Sequence, residues 1–243
     1  DNLLSRGLGD VYKRQVLESI RIINPKIKFY QASSSEIFGN TKHKSYKIYD
    51  NFNPQSPYAI SKLFGHNITK NFRNSFGLYA VSGILFNHDS PLRSKDFVTK
   101  KIIVGLIKIK KNKKKFIELG NIYAKRDWGY AKEFIPQIWK MMQLRKPEDF
   151  IIATGKSYSI KQFINIVALY LKLDVKWIGK GVNTKLVDKK NNKTLIKINK
   201  KLFRPSEINY SKGNINKASK NLKWKPKTNI KKLVKIMLSL IHI

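Results

Sequence analysis

The sequence contains no cysteine among its 243 residues. Disulfide-stapled secreted folds and zinc sites built on cysteine are therefore excluded. No apolar run approaches the roughly 20 residues that a membrane-spanning helix needs, and no apolar segment is followed by a small-residue cleavage site of the kind that signal peptides carry. These absences favour a soluble, cytoplasmic protein.

Acidic residues are also scarce, since 15 Asp and Glu stand against 50 Lys and Arg, for a net charge of +35. That charge suggests a nucleic-acid partner, but only eight of the basic residues are Arg, the residue best suited to read guanine edges and phosphates. The Lys residues are spread along the whole chain together with abundant Asn and Ile, a combination that A+T-rich codons produce. We therefore expect no nucleic-acid partner, and a nucleic-acid-binding module remains the second hypothesis, which tight, steeply salt-dependent heparin binding would favour.

The remaining pattern alternates between short apolar runs and longer amphipathic segments. The apolar runs predict buried strands, at residues 27–33, 78–86, 116–120, 150–155, 175–179 and 194–198. The amphipathic segments predict helices that end at 23 or cover 57–76, 97–111, 128–144, 159–173 and 229–238, with Ser159 as an N-cap. This alternation predicts an α/β fold with a doubly wound parallel sheet. Residues 1–15 and 238–243 fit the pattern poorly, and we set them aside as a non-native leader and tail.

Tyr58 and Lys62 form the first candidate for chemistry. Residues four apart lie on one face of a helix, and a neighbouring ammonium lowers the pKa of a phenol so that it can act as a base. The spacing alone is equally consistent with a pair of surface residues in a chain so rich in Lys.

Ser34 and Glu36 form the second candidate, because they directly follow a predicted strand. Ligands of open α/β sheets lie at the carboxyl ends of strands, where a hydroxyl and a carboxylate can bind oxygen and move protons. A turn cap made by the same residues is the alternative interpretation.

Six blocks extend these candidates into a resemblance to a known family. The blocks are FYQASSSEIFG (29–39), NPQSPYAISKLFGHNITKNFR (53–73), GILFNHDSPLRSKDFVTKKI (83–102), LGNIYAKRDWGYAKEF (119–134), PEDFIIATGKSYSIKQF (147–163) and RPSEINY (204–210). They closely resemble the GDP-mannose 4,6-dehydratase family of extended short-chain dehydrogenases, in register from about residue 16 to about residue 237. The resemblance implies conversion of GDP-mannose to GDP-4-keto-6-deoxymannose with NADP as cofactor, and a homodimer or homotetramer.

The resemblance also assigns roles to residues of this chain. It implies a catalytic set of Ser34, Glu36, Tyr58 and Lys62, in which Ser34 replaces the usual Thr. It implies NADP contacts at Tyr58, Lys62, His88 and Arg93, where Leu92 replaces a second Arg. The positions implied to hold the GDP moiety are Asn87, Val98, Lys101, Arg126, Arg204 and Glu207. Taken alone, His88 is more typical of a structural loop, Val98 of a helix core, and Arg126 of an ion pair with Asp127. No metal is implied.

The same resemblance implies a division of the chain. Residues 16–145 correspond to the later part of an NADP-binding domain with interleaved substrate segments, and 146–237 mainly to the substrate-binding region. About a hundred residues of the family pattern have no counterpart, among them the Gly-rich turn that holds the pyrophosphate, so we expect this chain alone to bind NADP weakly. A related dTDP-glucose dehydratase, a UDP-sugar epimerase or a reductase of the keto product remains an alternative. A reductase has no need for Glu36.

Overall fold

A computed structural model describes residues 3–40, 45–203 and 206–239, and residues 3–10 only as backbone. Arg204 and the outermost residues of the predicted leader and tail lie outside these ranges. The helices in the described ranges are α1 (Leu3–Ile23), α2 (Pro57–Phe76), α3 (Val98–Lys110), α4 (Ala131–Met142), α5 (Ile160–Tyr170), α6 (Asn216–Leu222) and α7 (Ile230–Ser239). The strands are β1 (Phe29–Ser34), β2 (Ala80–Leu85), β3 (Asn87–Asp89), β4 (Ile117–Leu119), β5 (Lys125–Arg126), β6 (Trp128–Tyr130), β7 (Phe150–Ile152), β8 (Tyr158–Ser159), β9 (Val175–Ile178), β10 (Lys185–Asp188) and β11 (Thr194–Ile198).

In a parallel sheet of the order β1-β2-β7, strand β1 ends at Ser34, and the other catalytic candidates lie just after this strand or on α2, which packs beside it. Successive side chains of a strand point to opposite faces. On β2, Ala80 packs with α1 and α2, whereas Val81 packs with residues of α4 and α6. Helices therefore cover both faces of the sheet, and the predicted doubly wound α/β fold is confirmed. Burial on both faces also explains why β2 is an apolar run with no alternation.

A second sheet, in the order β4-β11-β10-β9, is mixed: β11 runs parallel to β4, while β10 is antiparallel to both of its neighbours. Its core is shared with α3, α5 and α7, through buried residues such as Leu106, Phe163 and Leu233. Two short ladders, β3 with β6 and β5 with β8, complete the pairing. They bring residues 87–89 beside 128–130, and 125–126 beside 158–159.

Every strand and helix predicted above is present, with ends displaced by a few residues. Three differences matter. Residues 128–130 form strand β6, because they pair with β3, and the helix begins only at Ala131. Helix α1 continues back to Leu3, through the stretch set aside as a leader. The strands β3, β5, β8 and β10 and the short helix α6 had no predicted counterpart. None of the described helices has the length and apolar character required to span a membrane.

Candidate active site

Ser34 and Glu36 lie where β1 ends. The chain turns there into a short 3₁₀ helix over Ser35–Phe38, and the Ser34 hydroxyl accepts a hydrogen bond from the Glu36 N–H at 3.3 Å. The turn-capping interpretation is therefore realised in the structure. Both side chains are half-buried, so capping leaves each with an accessible surface.

Tyr58 and Lys62 lie in the first two turns of α2. Ser56 caps this helix by accepting the Ala59 N–H at 3.1 Å, and Pro57 occupies the first position, where its missing N–H leaves no bond unmade. The Lys62 Nζ lies 5.6 Å from the centroid of the Tyr58 ring and donates to the Ala32 carbonyl of β1 at 2.9 Å. The predicted proximity of phenol and ammonium is therefore present, and Lys62 ties the helix to the strand that carries Ser34.

The far end of α2 is fixed by a buried ion pair. The Arg73 guanidinium makes two hydrogen bonds to the Asp149 carboxylate, at 2.7 and 2.8 Å, and a third to the Ala80 carbonyl. Asp149 also accepts the Ser82 N–H at 2.7 Å. Burial alone raises a carboxyl pKa, but the Arg73 hydrogen bonds and charge outweigh it and lower the pKa of Asp149. The helix is thus anchored to β2 and to the residue that precedes β7.

A cleft of about 350 Å³ lies beside the start of α2. Three of the predicted residues line it: Glu36, Arg126 and Glu207. The remaining lining comes from Gln55, Ser56, Pro57, Ala59, Ser206 and Ile208. The cleft therefore joins the end of β1, the first turn of α2 and the segment 206–208, which are far apart in the sequence.

Arg126 pairs with Glu207 and not with its neighbour Asp127. The Arg126 Nη2 lies 2.8 Å from the Glu207 Oε1, and Nη1 donates to the Ile208 carbonyl. The local ion pair with Asp127 that the sequence suggested is wrong, because Asp127 is fully buried and has other partners. A cation and a carboxylate thus stand together in the cleft wall.

Asp127 gathers backbone donors from two distant segments. One carboxylate oxygen accepts the Thr154 N–H at 2.8 Å and the Thr154 hydroxyl at 2.6 Å, and the other accepts the N–H groups of Gly155 at 2.9 Å and Gly213 at 3.2 Å. Burial raises the pKa of Asp127 from 3.8 to about 6, even though these hydrogen bonds act to lower it. This carboxylate holds together the three segments behind the cleft.

Asn87 and His88 lie on β3, which pairs with Trp128 and Gly129. The His88 ring is stacked on Phe134, with centroids 5.1 Å apart, and its Nδ1 lies 2.8 Å from the Phe86 carbonyl. These contacts hold the ring in one orientation, as expected of a structural histidine, and leave it half-buried.

Arg93 lies in the loop that follows β3. Its Nε is 3.1 Å from the Asp89 Oδ1, and its guanidinium stacks 3.4 Å from the centroid of the Phe97 ring. Burial raises the pKa of Asp89, and the charge of Arg93 and a hydrogen bond from Thr99 act against that rise. Leu92, in the position of the missing second Arg, is 93% exposed.

Val98 and Lys101 do not line the cleft. Both lie at the start of α3, where Val98 packs partly against the core of the second sheet and the Lys101 N–H bonds to the Phe97 carbonyl. Arg204 lies outside the described residues. In the described part of the chain, no group of three or more His, Asp or Glu is placed to hold a metal.

Sequence reasoning missed Gln55 and Ser56 as cleft residues and Asp127 as a buried acceptor of backbone hydrogen bonds. It also missed Asn40, whose side chain hydrogen-bonds to the Glu207 carbonyl and the Asn209 N–H. The polar, turn-rich run before Pro57 was a usable signal for Ser56, since Ser before Pro is typical of a helix start. Asn40 and Asp127 act through backbone groups distant in the sequence, and local patterns carry no trace of such partners.

The family model and the related proteins that match this chain all point to the same family. The model of the GDP-mannose 4,6 dehydratase family matches residues 13–237. GDP-mannose 4,6 dehydratases from Homo sapiens and Drosophila melanogaster are 38% and 37% identical, over 95% and 92% of this chain. That of Vibrio cholerae serotype O1 is 39% identical over 93% of it. The chain spans 62%, 57% and 64% of the length of these three relatives.

Solved structures show the same fold at lower identity. The dTDP-glucose 4,6-dehydratase of Bacillus anthracis, in complex with NAD, has a TM-score of 0.81 at 16% identity, covering 98% of this chain and 69% of that one. RMD from Pseudomonas aeruginosa, complexed with NADPH, has a TM-score of 0.77 at 16% identity, with coverage of 93% and 70%.

Proposed function

The chain belongs to the GDP-mannose 4,6-dehydratase family, and from that premise we propose that the protein containing it removes water from GDP-mannose to form GDP-4-keto-6-deoxymannose. The observation that carries the proposal is the cleft in which Glu36, Arg126 and Glu207 meet beside the first turn of α2, the turn that contains Tyr58. The residues proposed as base, cation and carboxylate thus line one cleft, and the proposed Tyr58 and Lys62, which are not among its lining residues, lie on the helix that borders it.

We propose NADP as the cofactor, and the residues present fit it. Lys62 reaches the Ala32 carbonyl near the carboxyl end of β1, the end of a parallel sheet at which ligands of this fold class lie. Tyr58 and Lys62 would hold the nicotinamide and its ribose, with His88 and Arg93 as further contacts. A bound nicotinamide would accept a hydride from C4 of the sugar and later return it to C6, so that no net oxidant is consumed.

In this proposal, Tyr58 takes the proton of the 4-hydroxyl while C4 becomes a ketone, and the Lys62 charge favours the phenolate. The Ser34 hydroxyl hydrogen-bonds the 4-oxygen in both of its states. The ketone makes the C5 proton acidic. Glu36 removes that proton and delivers it to the departing C6 hydroxyl, which leaves as water. C6 of the resulting C5=C6 double bond then receives the hydride taken from C4, and C5 receives a proton in place of the one that Tyr58 took, which gives the 4-keto-6-deoxy product.

Binding of the GDP part of the substrate is assigned to Arg126, Glu207 and four further residues. Arg126 offers a cation to the diphosphate, and Glu207 offers acceptors to ribose or guanine donors. Asn87, Val98, Lys101 and Arg204 complete the proposed GDP contacts by resemblance. The Arg126–Glu207 pair supports this assignment because it lies in the cleft wall.

The test is mass spectrometry of GDP-mannose incubated with NADP and the full-length protein. Loss of one water supports the dehydratase, whereas an unchanged mass would contradict the proposal. Glu36→Gln is expected to abolish the loss of water while GDP-mannose still binds, because the amide cannot accept the C5 proton. Glu118→Gln removes a carboxylate on the second sheet, paired with Lys197 away from the cleft, and serves as the matched control. Full activity in Glu36→Gln would refute the assigned role.

We also propose a homodimer or homotetramer in the cytoplasm. Apolar side chains exposed on the adjoining helices α1 and α2 support self-association, among them Val16, Ile23, Ile60 and Phe64. Light scattering on the full-length protein tests it, and a monomer at micromolar concentration would contradict it.

A further inference from the structure

Asn40 makes a pair of hydrogen bonds across a long sequence distance. Its side-chain Nδ2 donates to the Glu207 carbonyl at 2.6 Å, and its Oδ1 accepts the Asn209 N–H at 2.8 Å. The two bonds flank Ile208, in the pattern that a residue of a parallel strand makes with its neighbour. The side-chain amide of Asn40 thus makes the two hydrogen bonds to the segment 207–209 that the backbone of a paired strand residue would make.

The preceding turn sets where that amide stands. Gly39 has φ +61°, and its N–H bonds to the Glu36 carbonyl at 3.2 Å. A Cβ at Gly39 would lie 1.8 Å from the Asn53 carbonyl oxygen, so no other residue fits without a shift of the backbone. The turn therefore fixes the position of Asn40 relative to the backbone of Glu36.

The segment that Asn40 holds is a wall of the cleft. Residues 206–208 line it, and Arg126 reaches the same segment through the Glu207 carboxylate and the Ile208 carbonyl. Asn40 and Arg126 together fix both the backbone and the side chain of Glu207. We propose that Asn40 is a positioning residue for nucleotide-sugar binding, which orders Glu207 and Arg126 in the cleft before the substrate arrives; this rests on the proposed function.

The neighbouring segment has its own attachment. Tyr46 exchanges backbone hydrogen bonds with Lys212 and Asn214, both at 2.8 Å, and its hydroxyl donates to the Gly39 carbonyl at 2.6 Å. The Asn209 carbonyl also accepts the Lys125 N–H at 2.9 Å. Loss of the Asn40 amide is therefore expected to loosen mainly 206–208, with 209–214 still attached. Without Asn40, the segment 206–208 becomes ordered only when the substrate binds. The free energy required to order it then weakens the affinity for the substrate.

The experiment compares Asn40→Ala, Asn40→Asp and the unaltered full-length protein by calorimetric titration with GDP-mannose and, separately, with NADP. Asn40→Ala is expected to weaken GDP-mannose binding about fivefold, the scale of a pair of partly exposed hydrogen bonds, with NADP affinity and Tm unchanged. Asn40→Asp keeps the volume and the acceptor but turns an oxygen toward the Glu207 carbonyl, so we expect a loss at least as large.

Hydrogen exchange gives a second readout. The Asn209 amide is expected to exchange faster in Asn40→Ala and to stay protected in Asn40→Asp, since only the former removes its acceptor. Asn191→Ala removes an exposed Asn that accepts the Lys193 N–H in a turn of the second sheet, and it is the matched control, expected to bind like the unaltered protein.

The outcomes separate the two proposals. If the unaltered protein does not bind GDP-mannose, the proposed function fails and this inference fails with it. If it binds and Asn40→Ala binds equally well, the inference alone is overturned. A parallel loss of NADP affinity, or a fall in Tm, would show a general structural role and would also overturn it.

Discussion

Asp127→Asn separates two physical effects that act on the same buried carboxylate. The substitution preserves shape but replaces one acceptor oxygen by an NH₂ group. Both carboxylate oxygens accept a backbone N–H, so either orientation of the amide leaves at least one buried donor without an acceptor. That loss costs on the order of 1–3 kcal/mol and does not depend on pH.

The second effect depends on pH and has the opposite sign. The folded pKa of Asp127 is about 6, above its ordinary value of 3.8. A carboxyl with a raised folded pKa stabilises the fold fully below the unfolded pKa, and this contribution is lost as the pH rises through the folded pKa. Between about pH 5 and about pH 7.5, linkage with these two values gives a loss of about 1.4 kcal/mol in the unaltered protein. The Asn variant has no such titration.

Urea unfolding followed by the fluorescence of the four Trp residues measures the difference. We expect Asp127→Asn to be less stable at about pH 5, with a gap that narrows by about 1.4 kcal/mol at about pH 7.5. Other titrating groups are common to both proteins and cancel. Asp188→Asn, at a carboxylate that accepts the Lys190 N–H in a surface turn, controls for the change in net charge. A gap that stays constant, or that widens as the pH rises, would refute the reasoning.

Two further substitutions test the scaffold around the site. Arg73→Lys replaces the two-pronged contact with Asp149 and the bond to Ala80 by a single ammonium, and should lower the free energy of unfolding by about 1–3 kcal/mol in urea titrations, with the exposed Arg145→Lys as control. Because the pKa of Asp149 is lowered, the pair stabilises above the ordinary value of 3.8 and loses that effect in acid, so the difference in stability should narrow there to what the Ala80 bond contributes; a difference that does not narrow in acid would count against this account. Ser159→Ala breaks the reciprocal cap in which the Ser159 hydroxyl accepts the Gln162 N–H and the Gln162 side chain accepts the Ser159 N–H. It should cost about 1 kcal/mol in thermal unfolding, and an unchanged Tm would contradict the assigned cap.

The strands and helices could be predicted where burial or capping produces a recognisable local pattern in the sequence. Strand β2 is buried on both faces and therefore appears as a mainly apolar run that only Ser82 interrupts, and α2 begins with the Ser-Pro pair of a capped helix. The catalytic candidates could be identified from the sequence for a similar reason: Ser34 and Glu36 follow a predicted strand, and Tyr58 and Lys62 lie about one helical turn apart.

Features that depend on distant partners were not predictable in this way. Residues 128–130 read as helix until their pairing with β3 is known. Arg126 and Asp127 are adjacent, yet their partners lie 81 and 86 residues away and on different sides of the strand. The clamp of Asn40 on Asn209 spans 169 residues. Local chemistry identifies what such side chains are able to bind, and only the fold decides which partner reaches them.

The anchoring of α2 has a consequence for how accurately the phenol of Tyr58, the proposed base, is placed. Tyr58 and Arg73 are 15 positions apart in one helix, which corresponds to about 22 Å along its axis. If the helix behaves as a stiff rod held at Arg73, a tilt of about 3° displaces the other end by about 1 Å, an error that costs up to about a hundredfold in rate. The bond from Lys62 to Ala32 resists that tilt close to the phenol, and the Asp149 pair resists it at the remote end. The angle through which α2 can tilt is thus limited by two contacts at opposite ends of the helix, and in the proposed reaction the turnover rate depends on that angle.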